Sequence, residues 1–190
     1  MEKIVIIGSP GAGKTTFALE LGKTCKSKVF HLDRLFWDHA WKRKSRDARI
    51  DTLSKIVLEK QWIIEGTYLS SSEPRLEEAD TIIFLDMCPL LCLQGIIARH
   101  WKRRGKPCYD LPKGSTDKLT LSRIWKVLTF PFTDRKKLIQ ILNKYESKQI
   151  IRLTSRRKVE EFVLKEQKQA PQESSSNIGR FQPSFSLAKT

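Results

Sequence analysis

The chain has 190 residues and a formal net charge of +15, from 36 Lys and Arg against 21 Asp and Glu. That length suits one domain with a full core, which excludes any need for a disulfide or metal staple. The charge implies attraction to polyanions such as nucleotides, nucleic acid or acidic membranes, without choosing among them. In chain order, Lys3 to Ile7 reads as a buried strand, Lys14 to Thr24 as a helix and Lys28 to Leu32 as a second strand. Arg46 to Lys60 is helical by its Ile50, Leu53 and Val57 spacing, and Trp62 to Ile64 is a third strand ended by Glu65-Gly66. A serine-rich loop leads to a helical turn over Pro74 to Glu78, and Thr81 to Leu85 is a fourth strand ending at Asp86. Pro89 opens a helix whose Leu90, Leu93, Ile97 and Trp101 predict an apolar stripe. Gly105 to Asp117, with two prolines and two glycines, reads as a mobile loop. Leu121 to Leu128 and Leu138 to Tyr145 mark two more helices, Gln149 to Leu153 a fifth strand, and Ser155 caps a last helix. From Gln167 the composition turns to Gln, Ser, Pro and Lys, which predicts a disordered tail over 167–190 behind a domain spanning 1–166.

Strands alternating with helices predict an α/β fold in three layers, a five-stranded parallel sheet with helices on both faces. Ligands in such sheets bind beyond the carboxyl ends of the strands. Thr81 to Ala98 is apolar enough to suggest a membrane span, but Asp86, Pro89 and Gln94 interrupt it. The short apolar run after Met1-Glu2-Lys3 leaves no room for a signal peptide, so a soluble protein without membrane partners is expected. Cys25, Cys88, Cys92 and Cys108 form no C-x-x-C pair, which points to a reducing cytoplasm. His31, His39 and His100 are scattered without partners at metal-ligand spacing.

The informative motif is Gly8-Ser9-Pro10-Gly11-Ala12-Gly13-Lys14-Thr15, set directly between the first strand and the first helix. This is the G-x-x-x-x-G-K-[ST] pattern of a phosphate-binding P-loop. Its glycines let successive backbone N–H groups converge on an anion, and the helix N-terminus adds partial positive charge. Gly8 to Thr16 therefore form the expected nucleotide cradle. Lys14 is expected on the β- and γ-phosphates of ATP, and the Thr15 hydroxyl on Mg²⁺. Glu65 is the favoured carboxylate for Mg²⁺ or its waters; Asp86 competes, and either residue also suits a helix cap. Asp33 is a candidate base for an acceptor hydroxyl, or an N-cap. Phe36, Trp37 and Trp41 are candidates to stack on a flat acceptor, or ordinary core. Arg75 is a candidate anion binder. Arg99 and Arg103 share a helix face beside the mobile loop, which predicts a cationic lid over about 99–118, with a plain solvated face as the alternative.

These motifs carry a resemblance. The P-loop looks like that of adenylate kinases, and Arg99-His-Trp-Lys-Arg103-Arg104 resembles the R-x-x-x-R-R lid signature of that superfamily. The blocks His31 to Trp37, Trp62 to Tyr68 and Arg75 to Asp86 are similar to the bacterial DNA topology modulation (FlaR-like) proteins. The resemblance implies an adenylate-kinase-like P-loop fold using ATP and Mg²⁺, with Arg99 stacked near adenine and Arg103 on phosphates. Adenylate kinases carry D-G-F-P-R where this chain has Glu65-Gly66-Thr67-Tyr68, so the arginine of the AMP site is missing. FlaR-like proteins usually have Asp-Gly-Asn-Tyr there. Two functions follow as expectations: phosphoryl transfer to a small nucleoside- or nucleotide-like acceptor, or a nucleotide-regulated DNA-binding protein. Weak non-specific attraction to nucleic acid is expected in either case.

Overall fold

The run Ile4-Val5-Ile6-Ile7 contains no polar residue because both its faces are covered, and each of the four is buried. It forms the central strand in the computed structural model, which describes residues 1–38, 42–103 and 119–169. The strands are β1 (Lys3–Gly8), β2 (Val29–His31), β3 (Trp62–Glu65), β4 (Thr81–Leu85) and β5 (Gln149–Leu153). They pair in the order β2-β3-β1-β4-β5, all parallel. The helices are α1 (Lys14–Thr24), α2 (Leu32–Phe36), α3 (Arg46–Val57), α4 (Glu73–Glu78), α5 (Pro89–Arg103), α6 (Leu121–Thr129), α7 (Asp134–Asn143) and α8 (Arg156–Gln169). The expected three-layer α/β architecture is the observed one.

Alternation along β1 builds two cores. Val5 and Ile7 face one side, with Leu53 and Val57 of α3, Leu76 of α4 and Leu138 of α7. Ile4 and Ile6 face the other, with Phe17 and Leu21 of α1, Ile96 of α5, Val127 of α6 and Val163 of α8. Each such side chain contributes about 1.5–3 kcal/mol by leaving water. Caps fix the helix starts. Ala48 N donates to Ser45 Oγ at 3.2 Å, Arg123 N to Thr120 Oγ1 at 3.3 Å and Lys158 N to Ser155 Oγ at 3.3 Å.

Several expected boundaries and faces change. Leu32 belongs to the short helix α2, which the strand reading of Lys28 to Leu32 missed. Helix α3 ends at Val57 rather than Lys60, and β3 includes Glu65. The stripe expected on α5 is displaced: Leu90 and Trp101 are each 67% exposed, while Cys92 and Ile96 are buried. The side of α5 carrying Gly95 packs closely on Gly11 of the P-loop. Helix α8 runs through Gln169, so residues 167–169 of the expected tail are helical; the rest of that segment lies outside the described residues.

Candidate functional site

Register decides what meets at the carboxyl edge of the sheet. His31 of β2 pairs with Glu65 of β3, and Glu65 pairs with Ile6, two residues before Gly8. The ends of β2, β3 and β1 thus converge on the P-loop. The cleft above them has a volume of about 1480 Å³, and Gly8, Pro10 to Thr16, Asp33, Glu65 to Ser70, Arg99, Lys102, Arg123 and Arg156 are among its lining.

The P-loop is held by close packing. Gly11 has φ +81°, and a Cβ there would lie 2.1 Å from the Cys92 carbonyl oxygen. A Cβ on Gly95 would lie 2.3 Å from the Gly11 carbonyl oxygen. Both positions need glycine, the first for its backbone angle and both for the approach of α5. Lys14 Nζ donates to the carbonyls of Gly8 (3.1 Å) and Ser9 (2.9 Å), which lays its ammonium along the loop. Burial pushes the Lys14 ammonium below its usual range; Glu65 and Asp33 oppose this, and Arg99 adds to it. Lys14 thus lies in the field of Glu65, Asp33 and Arg99.

Glu65 is buried and shared. Its Oε1 accepts from Thr15 Oγ1 at 3.2 Å and lies 2.9 Å from His31 Nδ1. Thr15 and Glu65 are hard oxygen donors side by side, which suits Mg²⁺, an ion that keeps several waters and takes few protein ligands. The residues present fit that ion. Asp86, the competing carboxylate, is committed elsewhere. Arg135 grips it with Nε to Oδ1 at 2.8 Å and Nη2 to Oδ2 at 2.9 Å, while Arg152 Nε reaches Oδ2 at 2.7 Å.

Asp33 stands in the first turn of α2 and lines the cleft. Its Oδ1 accepts from the Tyr68 hydroxyl, which itself accepts from Trp37 Nε1 at 2.7 Å. Burial foremost, then the charge and hydrogen bond of Asp33, push the Tyr68 phenol up. Phe36 is fully buried core, so of the expected stacking group only Trp37 faces the cleft among the described residues. Trp41 lies outside them.

Arg75, the candidate anion binder, does not line the cleft. It is fully buried and donates to the carbonyls of Ser71 (3.2 Å), Gly66 (3.2 Å) and Thr67 (2.7 Å), so its role is to hold the loop after β3. That loop is tied to the P-loop: Gly8 N donates to Thr67 Oγ1 at 3.1 Å, and Thr67 Oγ1 donates to Gly8 O at 2.6 Å. Arg99 lines the cleft from α5, with Lys102 near it. Arg103 ends α5; its side chain and residues 104–118, the remainder of the expected lid, lie outside the described residues.

Sequence reasoning missed His31, because only the strand register shows that it meets Glu65. It missed Gly95, although a glycine inside a helix costs about 1 kcal/mol and signals a packing reason. It also missed Arg43, which lines the cleft.

No known family's sequence profile matches the chain, and no curated protein matches it in sequence. Solved structures do match. A shikimate kinase from Acinetobacter baumannii in complex with shikimate superposes with TM-score 0.57 and 16% identity over 87% of this chain and 90% of that one. A shikimate kinase from Bacteroides thetaiotaomicron gives TM-score 0.50 and 17% identity over 87% and 96%. A deoxyadenosine kinase from M. mycoides with bound dATP gives 0.51 and 16% over 87% and 95%. At such identities these likenesses establish the fold, one shared with P-loop kinases. They lend nothing to the more specific likeness to DNA topology modulation proteins.

Proposed function

We propose that this protein is an ATP- and Mg²⁺-dependent phosphotransferase that moves the γ-phosphoryl group of ATP to a hydroxyl of a small acceptor of nucleoside or nucleotide size. The observation that carries the reading is the convergence of Lys14, Thr15, Glu65 and Asp33 in one cleft at the carboxyl edge of a P-loop fold. Phosphoryl transfer needs alignment and positive charge more than covalent help, and this cleft is built for both.

In this reading the backbone of Gly8 to Thr16 holds the phosphates, and Lys14 neutralises charge on the transferring group. Thr15 and Glu65 would hold Mg²⁺, which would supply neutralisation of phosphate charge. Arg99 lies where the nucleotide meets α5, and Arg103 is proposed beside it on the same helix. Asp33 accepts the proton of the acceptor hydroxyl as its oxygen bonds to phosphorus and the bond to the β-phosphate oxygen breaks. The free thiols of Cys25, Cys88 and Cys92 accord with a cytoplasmic setting. Among the described residues no helix is long and apolar enough to cross a membrane. The rival reading, a nucleotide-regulated DNA-binding protein, rests on net charge and on the sequence likeness to DNA topology modulation proteins.

The test incubates the pure full-length chain with γ-labelled ATP, Mg²⁺ and a panel of hydroxyl acceptors. Transfer to at least one acceptor is expected, lost on omitting Mg²⁺. Tight ATP binding with no transfer to any of them would count against the reading.

A further inference from the structure

Beyond Asp33 the cleft ends in an aromatic and cationic corner that the chemistry above does not use. The segment after α2 folds back on itself. Asp38 N donates to Lys42 O at 2.8 Å and Lys44 N to Phe36 O at 3.0 Å, and Trp37 pairs with Arg43 in an antiparallel bridge. Residues opposite each other in such a bridge present neighbouring side chains. The Arg43 guanidinium accordingly lies 5.9 Å from the Trp37 ring centroid and 6.0 Å from that of Tyr68. Both rings belong to the chain of hydrogen bonds that ends on Asp33.

The charge in this corner is unbalanced. Among the described residues no carboxylate pairs with Arg43. Asp38 lies 3.7 Å from Lys44, and Asp33 Oδ1 accepts from the Tyr68 hydroxyl. Arg49 stands close behind, buried, over the Phe36 ring at 5.5 Å. Burial first, and then the positive charge of Arg43, weaken its hold on its proton. It donates to neutral oxygens, Ser45 O and Ser71 Oγ. Neither guanidinium pairs with a carboxylate among the described residues, so the two repel one another, and an anion placed beside Arg43 relieves that repulsion. A guanidinium resting on aromatic faces keeps its planar N–H fork for a carboxylate or phosphate.

We infer that Arg43, set against Trp37 and Tyr68, is the specificity-determining residue of the acceptor end, and that the acceptor is a hydroxy compound carrying a carboxylate or phosphate rather than a neutral nucleoside. The inference rests on the phosphotransferase reading of the same cleft. It places the hydroxyl at Asp33 and the anionic group at Arg43.

The test uses the full chain saturated with Mg²⁺ and a non-hydrolysable ATP analogue, so that the P-loop is filled. The Arg43 Nε–H signal in a ¹H–¹⁵N spectrum, assigned by its loss in Arg43→Gln, is followed against acetate, inorganic phosphate and adenosine at constant ionic strength. A saturable shift of Arg43 with an anion is expected, with exposed Arg46 unmoved. Saturation by acetate alone marks a carboxylate acceptor, and by phosphate alone a phosphorylated one. Arg43→Gln weakens the anion about tenfold or more, as loss of a charge-assisted contact does. A shift that stays linear, one shared equally by Arg46, or adenosine binding this corner more tightly than either anion overturns the inference. The ³¹P signals of the analogue report nucleotide binding in the same sample; failure there brings down the phosphotransferase reading itself.

Discussion

Gly95 and Gly11 touch backbone to backbone: a methyl group on Gly95 would stand 2.3 Å from the Gly11 carbonyl oxygen. Alanine favours a helix interior over glycine by about 1 kcal/mol. Overpacking at a rigid backbone contact costs about 1–3 kcal/mol. Gly95→Ala is therefore expected to lower the melting temperature and weaken ATP binding together, because the atom displaced belongs to the phosphate loop. Calorimetry and an ATP titration check this. A variant that melts higher and binds ATP as the wild type does would show that α5 does not brace the loop.

Lys14→Ala removes the ammonium laid along the loop carbonyls. Loss of a preorganised donor to developing charge costs about 10²–10³ in kcat. That loss is expected here, with the circular dichroism spectrum and melting curve close to wild type. Unchanged turnover in a well-folded Lys14→Ala protein would refute the role given to the P-loop.

His31 positions Glu65, with its Nδ1 2.9 Å from Glu65 Oε1 and both residues buried. His31→Ala removes that partner and leaves the Thr15 hydroxyl on the same carboxylate oxygen. The expected result is about 1–3 kcal/mol of lost stability and weaker Mn²⁺ binding to the analogue complex, read by electron paramagnetic resonance. His31→Asn, whose amide nitrogen sits near the place of Nδ1, is expected to restore most of both. Equal losses in the two variants would mean that ring volume, not the hydrogen bond, is what matters at this position.

Asp86 sets a pH dependence. Burial pushes its carboxyl up, but the hydrogen bonds and charges of Arg135 and Arg152 outweigh burial and hold it below its usual range. A carboxyl depressed in the folded state contributes stability that is complete above about pH 4 and is lost as pH falls through its folded value. Asp86→Asn is expected to cost about 2–3 kcal/mol at pH 7 and to flatten the fall in melting temperature below pH 4. Parallel curves for the two proteins across that range would remove Asp86 as a contributor.

Much of this layout was legible in the chain. Short apolar runs ended by Gly8, Glu65-Gly66 and Asp86 announce parallel strands and their carboxyl ends. The P-loop announces itself because its glycines, lysine and threonine must be consecutive. What stayed hidden depends on register or on packing at a distance. His31 and Glu65 are 34 residues apart and meet only through β2–β3 pairing. Arg75 looked like a ligand residue because a sequence does not reveal three backbone carbonyls wrapped around a guanidinium. The apolar spacing on α5 pointed outward because a helix can keep one face close to backbone with glycine and cysteine, and those residues weigh little in a hydrophobic pattern.

Thr67 gives and receives a hydrogen bond at Gly8, so the first residue of the phosphate cradle and the loop carrying Tyr68 are riveted together. With the acceptor seated as proposed, beside Tyr68, this tie would couple its site to that of the nucleotide. Thermodynamic reciprocity requires that whatever factor the acceptor adds to nucleotide affinity, the nucleotide returns to the acceptor. Thr67→Val, which keeps the shape and cuts both bonds, is expected to leave two sites that fill independently, and paired titrations with and without the second ligand would show it.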